Sequence, residues 1–328
     1  MSAKESGVLL ALGAIWGASF MFIKVGGREM SPFALVEMRL ALAAIAMLAI
    51  GVGTRGNGLF AALRAHWLPL TVMGIINCAL PYTLITWGEN YISSGLASIY
   101  NATAPLWAAG LLLVVPASER LSPGRMVGLL VGMAGVMLVV SGSISGGQGE
   151  GVWHLSGQVA CLLAALSYAI SGLYGRHYMR GVSPKVAATG QLITGSILLL
   201  PLAAMQMPRV VPSWQALGAV AVLAVLGTAV ASLMYYWLLA HIGATGTLLV
   251  TYLLPVFALG WGALLLGEAV TLPAVLGLVL VFTGIAITSG AGATLLTRLV
   301  GALQSRRGGP EAGVETGTGT GTGAEECP

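Results

Sequence analysis

The chain has 328 residues, of which 57% are hydrophobic and only 8% charged, and its mean hydropathy is +0.90. A water-soluble domain carries roughly 25% charged residues, so this chain has too few charges to clothe a surface facing water and is expected to be an all-α integral membrane protein. The net charge of +4 does not mark a nucleic-acid binder, because the basic residues lie between apolar runs, and three cysteines are too few for a disulfide framework.

A helix needs about 20 apolar residues to cross the hydrocarbon of a bilayer. On that measure ten transmembrane helices are predicted, over residues 7–26, 32–51, 68–88, 95–115, 124–142, 155–175, 185–205, 214–237, 245–266 and 272–290. The first run carries no signal-peptide cleavage site and is expected to remain as the first helix. The connections are short and rich in Gly, Pro and charge; the one from Gly146 to Gly151 is the natural boundary between two halves. Past residue 301 a Thr-Gly repeat and an acidic end cannot bury apolar area, so 301–328 is expected to be a disordered cytoplasmic tail.

The predicted spans repeat. Pro105, Gly110, Glu119, Gly128 and Gly135 recur as Pro255, Gly260, Glu268, Gly277 and Gly284, at an offset of 150 that falls to 149. At an offset of 152, Trp16 falls on Tyr168, Ser19 on Ser171 and Arg39 on Gln191, while Trp87 falls on Trp237 at 150. Internal repetition at this scale means two copies of one unit. The expected division is a first five-helix repeat over 1–146 and a second over 147–300. Five is odd, so the second copy must enter the membrane from the opposite side, which gives inverted repeats around a central cavity. With the N-terminus in the cytoplasm, 11 basic residues fall in cytoplasmic segments and 3 outside, and Arg39 lies within a span. That bias predicts cytoplasmic termini by the positive-inside rule.

Few residues inside the spans can carry chemistry. An arginine at the centre of a helix costs on the order of 2.5–3.5 kcal/mol, and Arg39 lies about eight residues into the second span. It faces either a polar cavity, where a substrate carboxylate could meet it, or an ion pair that fixes the helix. Glu37 is two residues away, and side chains two apart on a helix do not face each other, so either the two find separate partners or one snorkels to the outer surface. Asn101 and its repeat mate Thr251 each precede a proline by four residues, Pro105 and Pro255. A proline removes one helical hydrogen bond and bends the chain, and Pro81 adds a break in the third span. Trp16, Tyr82, Tyr168 and Tyr252 lie deep enough to line a route for an amphipathic solute. Trp67, Trp153 and Trp214 are expected at the bilayer interfaces.

Enzymatic readings find little support. The chain contains no aspartate and no His-Glu-x-x-His motif, and its histidines fall at predicted span ends (His177, His241) or in loops (His66, His154). No catalytic residue, metal site or cofactor is expected. A membrane enzyme or lipid-handling protein is the alternative to a transporter.

The run Tyr91-Ile-Ser-Ser-Gly-Leu-Ala-Ser98, followed by Pro105 and Glu119-Arg-Leu-Ser122, is similar to the repeat signature of the drug/metabolite transporter superfamily, EamA type. Residues 242–255 with Gly267-Glu-Ala-Val-Thr271 resemble it a second time, and the likeness covers about residues 7–290. The resemblance implies a secondary transporter of the bacterial inner membrane, working by alternating access with opposed bends at Pro105 and Pro255. The chain is more narrowly similar to amino-acid exporters of that superfamily. That implies export of aromatic and other neutral amino acids, or of other drugs and metabolites, by a protein expected to be a monomer in the lipid bilayer. No lysine lies deep within a predicted span, Lys24 and Lys185 standing at span ends, which departs from the lysine-rich site of the sugar-phosphate branch.

Overall fold

The computed structural model describes residues 2–55, 58–114, 123–145, 151–247 and 249–288. The tail, residues 146–150 of the predicted boundary, and Glu119 fall outside these residues. Every regular element among the described residues is helical. In order they are α1 (Ala3–Gly26), α2 (Pro32–Arg55), α3 (Gly58–Ala65), α4 (Trp67–Gly88), α5 (Ser94–Asn101), α6 (Ala104–Val114), α7 (Pro123–Ser145), α8 (Val152–Tyr178), α9 (Pro184–Met205), α10 (Trp214–Gly243), α11 (Val250–Leu266) and α12 (Leu272–Thr288).

Among the described residues, six helices are long and apolar enough to cross a membrane: α1, the part of α2 from Pro32 to Ile50, α4, α8, α9 and α10. The predicted fourth span is split between α5 and α6, and α11, α12 and the apolar part of α7 are shorter. Helical structure therefore occupies each of the ten predicted stretches, but not as ten full-length helices. The split has a local cause. Pro105 has no N–H to offer the carbonyl of Asn101, and the chain instead turns through Ala102 and Thr103, whose hydroxyl donates to the Tyr100 carbonyl at 2.6 Å. In the second copy the helix runs unbroken through Pro255, and the irregularity falls earlier, at Gly243 (φ 69°) and ahead of Val250.

Helix starts are written in the sequence. Ser2 and Glu5 form a reciprocal capping box at α1, Ser93 accepts from the Leu96 amide at α5, and Ser213 accepts from the Ala216 amide at α10. Large apolar side chains such as Ile197, Leu264 and Val279 stand exposed on the outer faces, as expected where lipid replaces water as the solvent.

With no hydrophobic drive between helices in lipid, association rests on close packing, and small residues permit it. α7 and α12 meet at backbone distance: a Cβ on Gly128 would lie 2.8 Å from the Gly284 carbonyl oxygen, and one on Gly135 would lie 2.8 Å from that of Gly277. Gly17 of α1 likewise lies against the backbone of Leu254 and Ala258 in α11. α1 packs on α10 and α11, α8 on α4, α5 and α6, α2 on α9 and α10, and α4 on α9.

One end of the bundle gathers the loops after α1, α4, α9 and α11. The Glu29 carboxylate accepts from the Ser213 amide and hydroxyl, both at 2.6 Å, and Ser31 donates to the Gln206 carbonyl at 3.0 Å. These two donors hold the exposed Glu29 carboxyl below its usual range. Glu268 accepts from the Ser94 amide (2.9 Å), the Ser94 hydroxyl (2.7 Å) and the Gly95 amide (3.3 Å), so it caps α5 from across the bundle. Tyr91 stacks on Trp153 at the start of α8 with ring centroids 5.5 Å apart. α8 thus begins at the end where α1 finishes.

Candidate functional site

α4 and α10 each contain a π-helical turn in mid-length, at Gly74–Ala79 and Val225–Val230. The two turns are 151 residues apart, between the repeat offsets of 152 at Arg39/Gln191 and 150 at Trp87/Trp237. A π turn inserts a residue into the helical ladder, alters its carbonyl pairing and is frequent at functional sites. Here the carbonyls draw hydroxyls: Ser167 of α8 donates to the Ile76 carbonyl and Ser232 to that of Thr228, both at 2.6 Å.

Around the first turn the polar groups are neutral. The Asn77 amide donates to Gln191 of α9 at 2.8 Å and its carbonyl accepts from Ser171 of α8 at 2.9 Å. Around the second turn one group is charged. The Arg39 Nε–H donates to the Thr228 hydroxyl at 2.9 Å, and the guanidinium lies over the Tyr82 ring, 3.8 Å from its centroid, a favourable cation–π position. Arg39 is 6% exposed. Glu37 turns instead to Ser196 of α9, at 2.6 Å. The expectation that these two charges go to separate partners holds, and among the described residues Arg39 has no ion pair. Its remaining guanidinium N–H groups form no hydrogen bond there. An arginine fork in that condition suits a planar anion such as a carboxylate.

The structure brings some of the sequence candidates together. Arg39, Tyr82 and Tyr168 are electrostatic neighbours, with Cys78 beside them. Tyr236, not singled out in the sequence, joins through Tyr82. Trp16 packs on Tyr235 with centroids 5.7 Å apart. Asn101 ends α5 with its side-chain amide oxygen buried and without a donor among the described residues, where neither Asn101 nor Thr251 hydrogen-bonds to the Arg39 group. Tyr252 meets Phe282 of α12 at 5.0 Å. Pro81 begins the regular helix just beyond the first π turn, and Pro105 sits just after the α5–α6 break. Trp67, Trp153 and Trp214 are exposed at helix starts.

Sequence reasoning passed over Asn77 and Thr228 as a pair. They occupy equivalent places in the two π turns, and the repeat offset was the available signal. His154, expected in a loop, lies buried in the first turn of α8, 2.8 Å from Gln158. Among the described residues no group of three or more His, Cys, Asp or Glu could hold a metal ion.

Comparison with known proteins adds an independent line. A family described as EamA-like transporters matches residues 5–141 and again 155–290. A protein of Archaeoglobus fulgidus, named only as a transporter, is 26% identical over 85% of this chain and 97% of its own length. The inner membrane transporter YedA of Escherichia coli (strain K12) is 27% identical over 87% of this chain and 90% of its own. A Salmonella typhimurium protein named as a probable amino-acid metabolite efflux pump is 27% identical over 88% and 95%. A solved crystal structure shares the fold with a TM-score of 0.63 at 19% identity, covering 92% of this chain and 99% of that one.

Proposed function

The chain belongs to the EamA-like transporter family, and from that premise we propose that it exports amino acids, aromatic and other neutral ones among them, by alternating access. The observation that carries the cargo reading is Arg39: buried, held by Thr228 and Tyr82, and without a carboxylate partner among the described residues. A zwitterionic cargo supplies that carboxylate, and Tyr82, Tyr168 and Tyr236 offer ring faces to an apolar side chain. The name of the Salmonella relative points the same way. Cargo of the same shape without an amino group, as in other exported metabolites, fits the fork equally well and forms the second reading.

The architecture we propose is ten spans in two inverted halves, 1–146 and 147–300, with 301–328 as a cytoplasmic tail. Both termini lie on the cytoplasmic side of a bacterial inner membrane, and the protein acts as a monomer around a central path. Three features support the duplication and its inversion. The family matches the chain once per half. α1 ends and α8 begins at the same end of the bundle. The packing pattern also maps onto itself when each helix is exchanged for its repeat mate, since α1 on α10 becomes α8 on α4, and α2 on α10 becomes α9 on α4.

The test is efflux from proteoliposomes loaded with radiolabelled threonine, methionine or phenylalanine. Release above that of protein-free liposomes is expected for at least one. No release of any amino acid ends the amino-acid reading, and release of a loaded aromatic carboxylate alone favours the second.

A further inference from the structure

Glu89 follows the last residue of α4 and is 1% exposed. Both of its carboxylate oxygens are buried without a hydrogen-bond donor among the described residues. The charged and titratable groups that face it come from four elements, and none answers it directly. Lys24 of α1 spends its ammonium on two backbone carbonyls, donating to that of Glu89 itself and to that of Ile92 at 2.7 Å. Arg39 of α2 is committed to Thr228 and Tyr82. Glu268, in the loop between α11 and α12, carries the same sign as an ionised Glu89 and already has three donors. Cys161 of α8 presents a buried thiol.

Taking an ionised carboxylate out of water without donors is far more costly than burying the neutral acid. Burial accordingly pushes the Glu89 carboxyl well above its usual range; Lys24 pulls against this and Glu268 adds to the push. We propose that Glu89 is a proton-binding site, occupied while the bundle end around α5 is closed by the Glu268 cap. One proton enters the carboxyl as that end closes and leaves when water reaches it. The closing equilibrium then follows pH. Closure is favoured below the raised folded value, and between that value and the ordinary one it weakens by up to tenfold per pH unit as pH rises, the slope for one proton.

The experiment is an infrared pH titration of the full chain in lipid nanodiscs, comparing wild type with Glu89→Gln. A carboxylic-acid C=O band that persists at neutral pH in wild type and is missing from Glu89→Gln is the expected result. A wild-type spectrum with no such band, or one identical to the variant, overturns the proposal. Thermal unfolding gives a second reading. Wild type should lose stability relative to Glu89→Gln as pH rises from acid to mildly alkaline, and parallel curves overturn the proposal as firmly. If Glu89→Gln fails to fold, Glu268→Gln serves in its place. Removing the like charge should move the Glu89 band's titration to lower pH, and an unmoved titration counts against the site.

Discussion

The two π turns share a backbone plan and differ in chemistry. At Gly74–Ala79, Asn77 meets Gln191 and Ser171, all neutral; at Val225–Val230, Thr228 meets Arg39. One scaffold occurs twice, with arginine at position 39 where the second copy has Gln191. Arg39 hydrogen-bonds to the second turn while lying over Tyr82, just beyond the first, so on the proposed cargo reading a solute with one charged end would meet its cation between the two turns.

The strongest way to break this difference is Gln191→Arg. It places a second guanidinium beside Asn77 inside the bundle, at a cost on the order of 2.5–3.5 kcal/mol. A marked drop in thermal midpoint should follow, read by unfolding in nanodiscs. The reverse change, Arg39→Gln, gives the second turn the chemistry of the first. Hydrogen bonds to charged groups are worth about 1.5–3 kcal/mol, so efflux should fall roughly 10–100-fold while size-exclusion chromatography shows a folded protein. Loss of expression instead would assign Arg39 to packing.

The scaffold itself can be tested at its glycines. A Cβ on Gly74 would lie 2.7 Å from the Gly195 backbone nitrogen and 2.9 Å from the Gln191 carbonyl oxygen, whereas one on Gly227 would meet the rotatable Ser19 hydroxyl at 2.7 Å. Gly74→Ala should therefore destabilise by about 1–3 kcal/mol, as overpacking does. Gly227→Ala should cost less and be relieved by Ser19→Ala; equal costs would mean the turns are not shaped as described. The smallest effect concerns Glu29, whose carboxyl is held below its ordinary range by Ser213. Because the folded value is depressed, that link contributes above the unfolded value and is lost as pH falls through the folded one. Wild type should approach Glu29→Gln in thermal midpoint at acid pH.

Hydropathy and the repeat made the spans and their pairing legible, because both average over many residues. The same averaging hid the π turns, whose single extra residues change neither composition nor hydropathy. The α5–α6 break was half legible: Pro105 marked it, yet Pro255, in the same place in the second copy, lies in continuous helix. Arg39 could be picked out because charge in a span is costly. Its partner Thr228 could not, since a threonine hydroxyl can also bond within its own helix. Glu89 directly follows a predicted span, where hydropathy gives no sign of burial, and it is buried by packing from α1, α8 and the α11–α12 loop.

The seam between α7 and α12 has one more consequence. Gly128 lies against Gly284, and Gly135 against Gly277; the repeat offset carries 128 to 277 and 135 to 284, so each contact maps onto the other. Such reciprocity is the mark of an isologous interface, the kind two identical subunits form about a two-fold axis. Once both copies lie on one chain, each partner is free to drift separately, but at this seam a side chain on either copy meets the other's backbone, so the two remain bound to the same small residue.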